Sequence, residues 1–190
     1  ISECLVGSEM CIRDRYVGAI AGINKPGANI TNCLSDAVVT ATNQTGGIAG
    51  KNEGLISECV SRSRVNTDEL ASSLDVGGVD VGTFNITQHV VDRNDMGGIA
   101  GNSSGVISSC TNYGTIGYNH TGYNVGGIAG SQNGKILNCT NEGDIYGRKD
   151  VGGIVGQAEP YIESEYLQDR IDTIPVSYTH LRAHETLANL

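Results

Sequence analysis

Short apolar runs recur along this chain at a near-constant interval, separated by glycine and asparagine. The hexapeptide VGGIAG at residues 125–130 returns as VGAIAG at 17–22, TGGIAG at 45–50, MGGIAG at 96–101 and VGGIVG at 151–156. The starts are 28, 51, 29 and 26 residues apart. A second block follows each of the first four: GANITNC, EGLISEC, SGVISSC and NGKILNC, ending at Cys33, Cys59, Cys110 and Cys139. A third block, NYGTIG from Asn112 and NEGDIYG from Asn141, completes the two cleanest units. The opening ISEC repeats residues 56–59, so residues 1–4 read as the remnant of an earlier unit.

Each unit is three apolar segments rich in Ile, Val and Thr, bounded by Gly, Asn and Asp, which is a strand pattern. Gly and Asn recur too often within a turn's length for a helix. A unit of about 26 residues with three strands predicts an all-β fold, a β-solenoid with one coil per unit. Equivalent positions would then stack at ~4.8 Å from coil to coil. The spacing Ile-x-x-Cys breaks strict alternation, so the strand is expected to bend or bulge there. Glycine, 27 of 190 residues, serves left-handed corners and close backbone approach. With no Trp and one Phe, Phe84, the core must come from small and β-branched side chains.

The repeat is interrupted twice. The 51-residue interval holds an excursion at about 61–95. Within it, Asn66 with Glu69 three positions on has the form of a capping box, predicting a short helical insertion through Leu74. The following VGGVDVGTFNITQHVV alternates like a strand or a degenerate coil. Asp68, Glu69, Asp75, Asp80, Asp92, Asp95 and His89 share this excursion without the tight D-x-D-x-D spacing of calcium loops. A solvated acidic face is expected, not a metal site. After Gly156 the repeat stops. Pro160 sits where a helix could start, and Ile162, Tyr166 or Leu167, and Ile171 follow at helical spacing. A helical segment, cut short, is predicted over residues 157–175.

Residues 5–15 and 176–190 stand apart. One codon choice for residues 176–186, VSYTHLRAHET, read on the opposite strand translates as LVGSEMCIRD, which is residues 5–14 in order. The nucleotide sequence resembles a transposase-end adapter used in sequencing libraries. Both segments are therefore expected to be adapter read-through in a fragment of a longer gene, with residues 16–156 as the repeat region proper. His180, His184 and Glu185 fall in this stretch and form no site. Domains neighbouring the repeats are expected to be missing.

The two segments carry equal numbers of acidic and basic residues, so the net charge of −9 survives their removal. An acidic chain without a basic cluster lacks the electrostatic footprint for nucleic acid. It also lacks the cationic face expected for anionic membranes. Cys11 lies in the adapter-like stretch. The other five cysteines, Cys4, Cys33, Cys59, Cys110 and Cys139, hold one place in the repeat and predict an inward ladder of buried free thiols. Disulfides between adjacent coils are the alternative. No C-x-x-C or Cys/His spacing suggests zinc. His89 and His120 lie in different units with no nucleophile spaced to either. Six N-x-S/T sequons, at Asn29, Asn43, Asn85, Asn102, Asn119 and Asn138, are expected by-products of Asn-rich corners, Asn138 lying inside a core strand. No catalytic, cofactor or metal site is expected. Tyr113, Tyr118, Tyr123 and Tyr146 are the candidates for a carbohydrate-binding or carbohydrate-active groove, the alternative to a non-catalytic scaffold.

VGGIAG followed by NGKILNCTNEGDIYG resembles the GLUG-motif repeats of large bacterial surface proteins, among them IgA-peptidase-like proteins whose repeats lie outside the catalytic domain. The resemblance covers most of residues 16–156 and is strongest over 96–156. It implies a secreted or cell-surface stalk or adhesion-type module with a protein or glycan partner. The peptidase motif H-E-x-x-H is absent, so no catalytic residue is implied.

Overall fold

The computed structural model describes residues 15–67 and 93–160 in full, with backbone strands also at residues 5–6, 9–11, 162–167 and 170–175. Among these residues the protein is all-β, a solenoid of about four turns built from parallel strands. Two short strands open it, β1 (Leu5–Val6) and β2 (Glu9–Cys11). The first full coil holds β3 (Arg15–Gly18), β4 (Ala21–Asn24), β5 (Asn29–Thr31), β6 (Leu34–Ser35) and β7 (Val38–Thr40). The second repeats the order as β8 (Asn43–Gly46), β9 (Ala49–Asn52), β10 (Leu55–Ser57), β11 (Val60–Ser61) and β12 (Arg64–Val65). The third has β13 (Asn94–Gly97), β14 (Ala100–Ser103), β15 (Val106–Ser108) and β16 (Thr111–Asn112). The fourth has β17 (Tyr123–Gly126), β18 (Ala129–Gln132), β19 (Lys135–Leu137) and β20 (Thr140–Asn141). A fifth begins with β21 (Lys149–Gly152) and β22 (Val155–Ala158).

Pairing follows the sequence repeat residue for residue. Val17, Thr45, Met96, Val125 and Val151 align across five coils, as do Ile30, Ile56, Ile107 and Ile136. At the third block the strand dwindles to single bridges, Val65 to Ile116 to Ile145. β1 and β2 pair in parallel with β6 and β7, so residues of the adapter-like segment lie against the first full coil.

Each of the first two segments is broken into two strands by a corner, and non-glycine residues in the left-handed region mark the kinks. Asn32, Glu58, Ser109 and Asn138, each just before the cysteine, have φ of 52–55°. This is the bend expected from Ile-x-x-Cys. Tyr16, Gln44, Asp95, Asn124 and Asp150 repeat the conformation in the first block, φ 50–63°, and the ladder skips them. Asn138 is therefore an exposed corner residue and not part of a core strand. Glycine was expected at the left-handed corners, yet Gly97 is there for space: a Cβ would run into the carbonyl oxygen of Ala100 and sit 2.8 Å from the Cα of Ala129.

The core is a set of stacks. Ile48, Ile99 and Ile128 form one, Ile30, Ile56 and Ile107 another, with Cys33, Cys59 and Cys110 and with Ala49, Ala100 and Ala129 in the same cluster. Val65, Met96, Ile116 and Val125 pack a second cluster with half-buried Ile145.

Three expectations change. The coil keeps its stacking through the 51-residue interval, since β13 pairs directly with β8. The excursion therefore leaves after Asn66 and returns by Arg93, narrower than 61–95. Asn66 is no helix cap: its φ is 52° and its Oδ1 accepts the Ala41 N–H at 2.8 Å from the preceding coil. The predicted helix itself lies outside the described residues. Over residues 157–175 the helix is replaced by an antiparallel hairpin, β23 (Ile162–Leu167) with β24 (Arg170–Pro175). Ile162 and Tyr166 are four apart, an even spacing that fits strand alternation as well as a helical face. The wealth of Ile, Tyr and Thr then favours the strand.

Candidate functional site

Stacking identical units turns each position of the repeat into a column running along the solenoid, and the columns are where any site must be found. Two inward-facing polar columns were not legible as such. Asn24 Nδ2 donates to Asn52 Oδ1 at 2.8 Å, and Asn52 Nδ2 donates to Ser103 Oγ at 3.0 Å, all three side chains buried. Asn24 and Asn52 also donate to the carbonyls of Leu55 and Val106 in the next coil. In the third block Asn112 Nδ2 donates to Asn141 Oδ1 at 2.8 Å while its own Oδ1 accepts the Gly114 N–H. Ser35 donates to the Gly47 carbonyl at 2.6 Å and contacts Ser63 Oγ. These groups satisfy buried corners. They are buried rather than spread over the surface.

The thiol column runs beside the isoleucines. Cys59 and Cys110 are buried free thiols and Cys139 is a half-buried one. Each sulfur reaches the carbonyl two residues back, Ser57, Ser108 and Leu137, at 3.2–3.3 Å. Each also reaches a carbonyl of the preceding coil, Ile30, Ile56 and Ile107, at 3.7–3.8 Å. The expectation of free thiols fails at Cys33, which is disulfide-bonded, its partner lying outside the side chains described. Backbone N–H of Cys110 points at Cys139 Sγ, 3.5 Å away. The Cys110 S–H hydrogen bond and this N–H hold the Cys139 thiol below its ordinary value, at about 6, against the opposing effect of burial. Cys59 competes for the same S–H. The lowering we assign is at half-buried Cys139, whose sulfur also accepts the Cys110 N–H. Cys110, donating to its neighbours and buried, is pushed up.

On the outer surface, the position after Ser35, Ser61, Asn112 and Asn141 forms an exposed column of Asp36, Arg62, Tyr113 and Glu142. The Arg62 guanidinium lies 5.9 Å from the Tyr113 ring centroid. Tyr123 is half-buried with Arg148 5.8 Å from its ring centroid, Tyr118 is half-buried, and Tyr146 is 39% exposed. Tyr113 stacks in register with Glu142, and Tyr146 follows Ile145 elsewhere in the coil, so the tyrosines form no single column. Elsewhere on the surface, Glu53 meets Lys51 at 2.7 Å and Lys25 at 3.6 Å, and the Lys51 hydrogen bond holds its carboxyl below the ordinary range.

His120 is exposed on a left-handed turn residue, φ 60°. Asp95 accepts the Asn124 side-chain amide at 2.8 Å, a contact between coils. His89, Asp68, Glu69, Asp75, Asp80 and Asp92 lie outside the described residues. Among the described residues no three His, Cys, Asp or Glu side chains converge on a point that could hold a metal ion. No helix there is long and apolar enough to cross a membrane.

Residues 121–146 match the family model for the GLUG motif. The match spans the strands of the fourth coil, whose register with the third and second extends the same unit through the solenoid. Comparison with curated proteins and with solved structures gives no match.

Proposed function

We propose that this structural repeat module is a non-catalytic stalk or adhesion-type scaffold of a secreted or cell-surface bacterial protein, presenting its outer columns to a protein or glycan. The observation that carries the reading is the use made of the recurring positions. Ile, Ala, Gly, Cys, Asn and Ser are committed to stacking, corners and inter-coil hydrogen bonds. Catalysis needs groups converging within hydrogen-bond reach of one reacting centre. Stacked units instead offer a long, repetitive face suited to contact. The purified chain, assayed against glycan and peptide libraries, should turn over nothing. Hydrolysis abolished by one point substitution would refute the scaffold reading.

A carbohydrate-binding or carbohydrate-active reading draws on one observation. Tyr113 is 47% exposed beside Arg62, an aromatic face of the kind that sugar rings stack on. A glycan array probed with the parent and with Tyr113→Ala tests it: binding weakened in the variant favours this second reading, and equal signals dismiss it.

A further inference from the structure

We infer that the outer end of the thiol column is a thiol–disulfide exchange site, at which Cys139 takes up a small-molecule disulfide and Cys110 resolves it. Cys110 and Cys139 are equivalent positions of in-register strands, bracketed by the pairs Ser108–Leu137 and Thr111–Thr140. Neighbouring strands lie ~4.8 Å apart. A disulfide accepts a Cα separation of about 4.4–6.8 Å. Cys33, at the same place in the coil, is itself disulfide-bonded.

Exposure sets the order of events. β19 and β20 are the last strands of their sheets, so among the described residues no strand stacks on Cys139 from the far side, whereas Cys59 and Cys110 are fully buried. Cys139 is therefore the thiol an external reagent meets first. Its sulfur accepts the Cys110 N–H, an arrangement that favours the thiolate, the nucleophilic form. Register also sets the trajectory. Sulfurs of equivalent residues follow one another along the solenoid axis, so a group bound to Cys139 on the open side lies in line with attack from Cys110.

The steps balance. The Cys139 thiolate attacks a disulfide RS–SR, forming Cys139–S–S–R and releasing RS⁻, which takes up a proton. Cys110 loses its proton to water or to a released thiolate and attacks the Cys139 sulfur. The S–S bond to R breaks, the second RS⁻ leaves and is protonated, and Cys110–S–S–Cys139 remains. Two protein thiols are oxidised and one external disulfide is reduced to two thiols. Cys59 is left as the free thiol behind the new bond.

The test incubates the folded full chain with oxidised glutathione, followed by acid quench, alkylation and peptide mass spectrometry. The parent should yield a Cys110–Cys139 linked peptide two hydrogens lighter than the two free peptides and retain no lasting adduct on Cys139. Cys110→Ala should trap glutathione on Cys139. Cys139→Ser, at the half-buried rung, should leave Cys59 and Cys110 unmodified. Circular dichroism checks that each variant folds. If Cys110→Ala does not fold, Cys139→Ser and the parent's linked peptide decide alone. A persistent Cys139 adduct in the parent, modification of Cys59 or Cys110 in folded Cys139→Ser, or an unmodified parent would each overturn the inference.

Discussion

Replacing Ile107 with alanine measures how far each coil depends on its neighbours. Ile107 is fully buried in the third coil, in register with Ile56 on one side and Ile136 on the other. The substitution removes three carbons, about 2.4 kcal/mol of transfer at ~0.8 kcal/mol per methylene. A cavity adds to that where the walls cannot collapse, within an overall range of about 2–5 kcal/mol for Ile→Ala. Here the walls are the stacked side chains of rungs fixed by hydrogen bonds between coils, such as Ser109 N–H to Leu137 O at 2.9 Å and Glu58 N–H to Ser108 O at 3.0 Å. Collapse is therefore limited, and a loss of about 3–4 kcal/mol is expected. The control is Ile136→Ala, chemically the same change on the half-buried edge strand β19, where about 1–2 kcal/mol is expected because less surface was buried. Urea unfolding followed by circular dichroism gives both values, provided the slopes agree. A loss at Ile107 no greater than that at Ile136 would refute the stacked-core reasoning.

Cys110→Ser should cost about 1–3 kcal/mol, read from the same urea curves, because a hydroxyl would replace a thiol in a fully buried rung. Gly97→Ala should destabilise by about 1–3 kcal/mol through overpacking against Ala100 and Ala129, while Gly153→Ala, with nothing within 4 Å of the added carbon, should shift the midpoint by under about 0.5 kcal/mol. Alkylation of Cys139 by iodoacetamide should accelerate as pH rises through about 6, since the thiolate is the reactive form and the folded value lies below the ordinary one. An onset near 9 would show that the Cys110 donors do not act on it. Deleting residues 176–190 should leave the melting temperature of the coils unchanged, as expected if that stretch is adapter-derived.

Much of the fold was written in period and composition. The interval between VGGIAG copies gave the coil length, and the isoleucines and cysteines at equivalent places gave the core stacks. What escaped depends on conformation and on partners in the next coil. Asn52 is polar and flanked by polar residues, yet it is buried because Asn24 and Ser103 stand above and below it. Nothing local in KNEG announces that. Gln44 and Glu58 occupy left-handed kinks that a sequence reading assigns to glycine. The surrounding ladder holds them there. The hairpin at residues 162–175 was misread because an apolar spacing of four satisfies both periods. Of the candidate sites, the cysteine column was legible and its open outer end was not, since exposure at Cys139 depends on where stacking stops.

The neck between the second and third coils has a consequence for grafting. Asn43 and Asn94 are 51 positions apart in the chain, yet their side chains hydrogen-bond at 3.3 Å across adjacent rungs. Arg93 spans the gap where the segment departs, donating to the Asn66 carbonyl at 3.2 Å. The rungs on either side of the interval thus pair directly. The entropic cost of a longer loop at such a closed neck rises by only ~0.6 kcal/mol per doubling of length. The junction between Asn66 and Arg93 is therefore a grafting point: an unrelated peptide or small domain could be spliced there without disturbing the pairing of the flanking rungs.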